Sequence, residues 1–147
     1  MIIIGSDHSG VELKKTIEDY LRSKNIDFLD VSKENKIDDD YPDIAKSICD
    51  KVLENKENLG IAICGTGIGI SIACNKIKGI RAANCVNAYM AELSRKHNDA
   101  NIICFGARLY EISDFENVKN MIDIFLSTSF EGDRHIRRIE KIKELEK

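Results

Sequence analysis

A single α/β domain, with helices covering both faces of a five-stranded parallel sheet, is the fold this 147-residue sequence predicts. Three observations predict it. Five short apolar runs alternate with five stretches of helical periodicity. The runs are apolar at nearly every position instead of every second one, as strands buried on both faces are. The length suits one domain and is short for two, and no linker, repeat or low-complexity segment divides residues 1–147.

The elements follow in order. Ile2 to Ile4 form the first strand, ended at Gly5, and residues 10–24 place Leu13, Ile17, Tyr20 and Leu21 on one helical face. "IDFLDV" (26–31) is the second strand. The polar loop "SKENKIDDDYPD" leads from it to a helix whose first turn Pro42 suits and whose apolar face carries Ile44, Ala45, Ile48, Cys49 and Val52. "LGIAIC" (59–64) is the third strand, running into a glycine turn and a helix of small residues. "GIRAANCV" (79–86) precedes a helix over about 87–97, and "NIICFG" (101–106) precedes one over about 114–127. Right-handed crossovers lay such helices on both sides of a parallel sheet, which gives a Rossmann-like three-layer sandwich. A last helix, in "EGDRHIRRIEKIKELEK", repeats Ile136, Ile139, Ile142 and Leu145 on a charged background and needs a surface to lie on, in its own domain or on a second subunit.

Composition excludes several classes. A net charge of −3 and an even mixture of Lys, Arg, Asp and Glu provide no field for nucleic acid or an anionic membrane, so an anion site must be local. "MIIIGSDHSG" lacks a basic leader and is too short in its apolar run for a signal peptide, and no stretch reaches the length of a membrane span. The five cysteines form no CxxC pair, which argues against a disulfide framework or a zinc knuckle and for reduced, cytoplasmic thiols.

In an open parallel sheet, ligands bind outside the carboxyl ends of the strands. Four loops reach that edge: Gly5 to Gly10, Cys64 to Gly69, Asn87, and Gly106-Ala107-Arg108. The turn Gly65-Thr66-Gly67-Ile68-Gly69 matches neither the dinucleotide fingerprint nor a Walker loop. Cys64 stands before its run of N–H donors, where a thiolate is favoured. It is either a strand-end thiol packed as a small hydrophobe or a base beside an oxyanion held by the turn. Asp7 and His8 stand at the mouth of the first helix, suited to capping or to ligand contact. His97 and Asn98 lie at a helix end, and Arg134 and Arg138, spaced i, i+4 around His135, are either solvated surface or a phosphate clamp. Ten residues of helix carry the chain roughly 15 Å. His97 therefore ends at the edge opposite Cys64, and one site containing both requires two subunits about a two-fold axis.

Across nearly the whole chain, "SDHSG", "DYPD", "GIAICGTGIGISIACNK", "GIRAA", "LSRKHNDANIICFGAR" and "EGDRHIRRIEKI" resemble the ribose-5-phosphate isomerase B family, with its galactose-6-phosphate and allose-6-phosphate isomerases. The resemblance implies interconversion of ribose 5-phosphate and ribulose 5-phosphate through a cis-enediolate, with neither metal nor organic cofactor. It implies Cys64 as the base, amides from Gly65 through Gly67 and Gly69 to Ser71 as enediolate stabilisers, and Thr66 with a partner's His97 in ring opening. Asp7, Tyr41 and Asn98 would hold sugar hydroxyls, while His8, Arg108, Arg134 and Arg138 would bind phosphate, with His135 near it. The implied assembly is a homodimer with shared sites, or a tetramer built from it, with the C-terminal helix reaching the partner. Ser6 stands where many relatives carry cysteine, and Asp133 where many carry glycine. The competing readings are an allose-6-phosphate or galactose-6-phosphate isomerase and a non-catalytic sugar-phosphate-binding module.

Overall fold

A computed structural model describes residues 1–110 and 114–147. Five parallel strands, β1 (Ile2–Ser6), β2 (Phe28–Asp30), β3 (Leu59–Cys64), β4 (Ala82–Asn84) and β5 (Ile102–Gly106), form one sheet in the order β2-β1-β3-β5-β4. The helices between them are α1 (Val11–Ser23), α2 (Tyr41–Leu53), α3 (Ile68–Asn75), α4 (Ala88–Asn98) and α5 (Phe115–Ser127), and α6 (Arg134–Leu145) follows. Ile2, Ile4, Ile61, Ile63, Ile103 and Phe105 face a core shared with α1, α4 and α5. Ile3, Ala62, Cys64, Ile102 and Cys104 face the one shared with α2 and α3. Burial on both faces is the reason these strands carry no polar alternation.

The connections from β1 and β3 run toward opposite edges of the sheet, which opens a crevice between the carboxyl ends of these adjacent strands. Register places Ser6 beside Ile63 and Cys64 beside Gly106, so the loops after β1, β3 and β5 surround one point.

β4 is shorter than the expected 79–86. Gly79 has a φ of +89°, and the Asn75 side chain bonds both backbone groups of Ala82 at 2.8 and 2.9 Å. Asn101 Oδ1 takes the Arg81 amide at 2.8 Å. Side chains thus satisfy backbone groups that a longer ladder would have used.

Under β2, Lys14 of α1 pairs with Asp30 at 3.1 Å while both are buried, and Glu18 lies against the same aspartate. Burial and then the hydrogen bond and charge of Asp30 push Glu18 up to about 7 from its usual 4.5. A group raised in the folded state contributes stability that is complete below its ordinary value and lost as pH rises through the raised one. Glu18→Gln retains a hydrogen-bond donor to Asp30 without the ionisation. It should match wild type near pH 4 and exceed it by roughly 1–2 kcal/mol at pH 8. Denaturant midpoints at the two pH values measure this, and equal midpoints at pH 8 would refute it.

Candidate functional site

At the end of β3, Cys64 is 4 % exposed and belongs to the α2 and α3 core, yet it also lines a cavity of about 410 Å³. The thiol thus packs as a small hydrophobe and at the same time borders an open cavity. Asp7, His8, Tyr41, Gly65, Thr66, Gly69 and Arg108 line the same cavity, together with Ser9 and Ile68. The Gly67 amide donates to Cys64 Sγ at 3.2 Å.

Each glycine of the turn has its own reason. A Cβ on Gly65 would meet the Arg108 guanidinium 2.7 Å away, and one on Gly69 would meet the Tyr41 ring at 2.7 Å. Gly67 has a φ of +78°, a left-handed conformation that side chains resist, and Asn84 fills the space beside it. The close approach of Arg108 is fixed from its own side, because its amide donates to the Gly65 carbonyl at 2.9 Å. Among the described residues Arg108 has no carboxylate partner, so its charge is available to an anion.

Ile68 N–H is taken by Thr66 Oγ1 at 3.2 Å, and Gly67 N–H by the thiol. Among the described residues, no hydrogen bond occupies the amides of Gly65, Thr66, Gly69 and Ile70, at a helix start where the dipole favours anions. Ser71 differs from the rest of its set. Its amide bonds the Gly67 carbonyl at 3.1 Å and its hydroxyl donates to the Ile68 carbonyl at 2.8 Å, so it closes the first turn of α3.

Asp7 caps as the sequence suggests, accepting from Ser9 N–H at 3.0 Å and Ser9 Oγ at 2.5 Å. His8 is gripped by Asp39, a residue that sequence reasoning did not single out: the carboxylate accepts the His8 amide at 2.6 Å and lies 3.1 Å from Nδ1. The only signal was the acidity of the loop before Tyr41.

His97, Asn98, Arg134 and Arg138 stand apart from this cavity. Asn87 Oδ1 caps α4 by accepting the Met90 amide at 2.8 Å at the ligand edge, and His97 and Asn98 end that helix at the other. There the His97 ring stacks on His135 of α6, with centroids 4.2 Å apart and planes 17° from parallel. His135 is 2 % exposed, its Nδ1 is 3.4 Å from Arg138 Nη1, and burial followed by the charge of Arg134 holds it below the usual histidine range. Ligand atoms of His97, Glu131 and His135 lie within 4.8 Å of one another. A metal lies in the plane of each imidazole that binds it, and stacked, nearly parallel rings direct their lone pairs side by side. This trio does not fit a metal as it stands.

The other four thiols are buried and free, and burial pushes Cys85 up to about 11. Among the described residues no helix is long and apolar enough to cross a membrane.

Fold and site together define a Rossmann-like α/β protein with a thiol and unoccupied backbone amides around a cavity at the crevice of its sheet. The chain belongs to the ribose/galactose isomerase family, whose model matches residues 2–142. A probable ribose-5-phosphate isomerase B of Mycoplasma genitalium is 46% identical over 149 residues, covering 99% of this chain and 95% of that relative. Ribose-5-phosphate isomerase B of Clostridium thermocellum superposes with a TM-score of 0.91 at 44% identity, over 99% of this chain and 96% of that one. The Mycoplasma genitalium enzyme with bound ribulose-5-phosphate does so with a TM-score of 0.90 at 43% identity, over 99% and 95%.

Proposed function

We propose that this chain is a ribose-5-phosphate isomerase of type B, interconverting D-ribose 5-phosphate and D-ribulose 5-phosphate. The observation that carries the reading is the Cys64 thiol, held by the Gly67 amide at the wall of a cavity with unoccupied backbone donors, in a chain closely similar to a protein with ribulose-5-phosphate bound. Cys64 as thiolate removes the C2 proton of the open-chain aldose, and the C2–H electrons form the C1–C2 double bond of a cis-enediolate. The amides of Gly65, Thr66, Gly69 and Ile70 carry the charge that develops on oxygen. Returning the proton to C1, with transfer of the O2 proton to O1, completes the ketose. Thr66 and the partner subunit's His97 serve ring opening. Asp7, Tyr41 and the partner subunit's Asn98 hold hydroxyls, and His8 and Arg108 bind phosphate together with the partner's Arg134 and Arg138.

The shared site is supported by the separation of the two clusters and by an exposed apolar face. Ile139 packs α6 onto its own domain, whereas Ile136, Ile142 and Leu145 face outward. Ile68 and Ile72 of α3 and Tyr89 and Met90 of α4 are exposed as well, and Ile68 borders the Cys64 cavity. A second copy covering these residues would bury them and deliver the basic end of α6. Free, buried thiols support a reducing, cytoplasmic setting.

The test is turnover of the purified protein on ribose 5-phosphate, allose 6-phosphate and galactose 6-phosphate side by side. The largest kcat/KM is expected for ribose 5-phosphate. A larger value for a six-carbon sugar would replace the substrate, and turnover of none would remove the isomerase reading.

A further inference from the structure

The loop between β2 and α2 is tied to the core by a chain of polar contacts that ends at the pocket. Lys14 Nζ, 5 % exposed as a residue, donates to the Ser32 carbonyl at 2.7 Å, to Ser32 Oγ at 3.0 Å and to Asn35 Oδ1 at 2.8 Å. Asn35 Nδ2 donates to the Ser6 carbonyl at 2.7 Å and to Asp39 Oδ2 at 2.8 Å. The Lys36 amide adds a longer contact to the same oxygen at 3.3 Å. Asp39 Oδ1 is left for His8, accepting its amide at 2.6 Å and facing Nδ1 at 3.1 Å, with the Asp39 carbonyl also 3.1 Å from Nδ1. Two acceptors around Nδ1 require that it carry a proton, which leaves Nε2 as the polar atom the ring can offer to a ligand.

We propose that Asp39 is a positioning residue for the phosphate end of the pocket: it fixes the His8 ring with its Nδ1 proton toward the loop and its Nε2 toward the phosphate, while Lys14 and Asn35 hold Asp39 in place. The identity of the ligand rests on the isomerase reading above. The geometry of the His8–Asp39 pair does not.

The electrostatics around His8 agree with this assignment. The Asp39 side chain, then its backbone carbonyl, raise His8 above the ordinary histidine value, and Asp7 adds to this. Burial opposes ionisation of Asp39, but bonds from Asn35 and His8 outweigh it and hold its carboxyl below the usual range. Arg108 lines the cavity with His8 and repels a second cation. Tyr41 and Cys64 share that cavity, and Glu12, Lys15 and Tyr110 share a neighbouring one with His8. Without the Asp39 carboxylate the balance at His8 shifts toward the neutral ring. A phosphate monoester becomes a dianion above about pH 6, so affinity should be greatest from there up to the raised His8 value and fall beyond it.

Asp39→Asn tests the proposal, with Asp38→Asn, in the exposed part of the same loop, as a control for charge alone. The chain has three histidines, so three ring titrations followed by NMR isolate His8. In Asp39→Asn the His8 midpoint should move down, the alkaline fall in phosphate affinity should move with it, and inorganic phosphate should bind about tenfold more weakly. KM for ribose 5-phosphate should rise by a similar factor while kcat stays within about threefold. Asp38→Asn should change none of these. Should Asp39→Asn fail to fold, Asn35→Ala retains the carboxylate and removes its anchor, and the same shifts are expected at smaller size. Unchanged His8 titration and phosphate affinity in Asp39→Asn, or in Asn35→Ala where that variant stands in, would overturn the proposal. Wild type that binds phosphate through His8 but turns over no sugar phosphate would leave the positioning role standing and sink the isomerase reading instead.

Discussion

Cys64→Ala is expected to lower kcat for ribose 5-phosphate by about 10³-fold and to remove exchange of the C2 proton with solvent, the scale on which losing a positioned proton-transfer group acts. Binding of the sugar phosphate should stay within about threefold, because Arg108 and the amides of Gly65, Thr66, Gly69 and Ile70 make no bond to the sulfur. Gly67 loses the one bond from its amide to the sulfur, but Asn84 still fills the space beside it, and Arg108 is bonded to the Gly65 carbonyl. The sulfur is a small part of the α3 side of the core, so the cavity its removal leaves is smaller than a leucine truncation and should cost about 1 kcal/mol. A variant with near-native Tm, retained binding and absent exchange separates a lost base from a lost fold. Deuterium incorporation at C2 in heavy water is the measurement, and a rate equal to wild type would remove Cys64 from the mechanism.

Mixing two inactive chains should restore activity. Cys64→Ala and His97→Asn are each expected to be nearly inactive, yet they lie in the two clusters that one chain keeps apart. In a dimer of one chain of each kind, one site receives an intact thiol from the His97→Asn chain and an intact imidazole from the Cys64→Ala chain, and the other site receives neither. Random pairing makes half the dimers mixed, so co-expression should recover about a quarter of wild-type turnover, far above either parent. Recovery requires a closed two-fold assembly with the face around Ile68, Ile72 and Ile136 buried. Turnover equal to the average of the parents would show that each site lies within a single chain.

The periodicity read over residues 10–24 lies within a residue of the observed α1, and the apolar positions from Ile44 to Val52 after Pro42 fall inside the observed α2, since an amphipathic face is a local property of the chain. The limits of β4 were not legible from its apolar run, because Asn75 and Asn101, which lie outside that run, take up backbone groups of Ala82 and Arg81. The glycine turn announced an anion site, and the reasons for its individual glycines came only from neighbours: Arg108 for Gly65 and Tyr41 for Gly69. Ser71 looked like part of the same donor run, but helix bonding occupies its amide. Asp39 went unnoticed among three consecutive aspartates, because nothing in composition tells which carboxylate a folded loop will turn toward His8.

By itself the sequence determined the alternation of strand and helix, the two-sided burial of the sheet, and the presence of a thiol ahead of a run of backbone donors. All of these follow from neighbours a few residues apart. Tertiary structure decided which loops meet at the crevice between β1 and β3, which amides remain unoccupied, and that His97 stacks on His135 beside the arginines of α6. Those outcomes depend on strand order and on contacts across dozens of residues, which local periodicity does not encode.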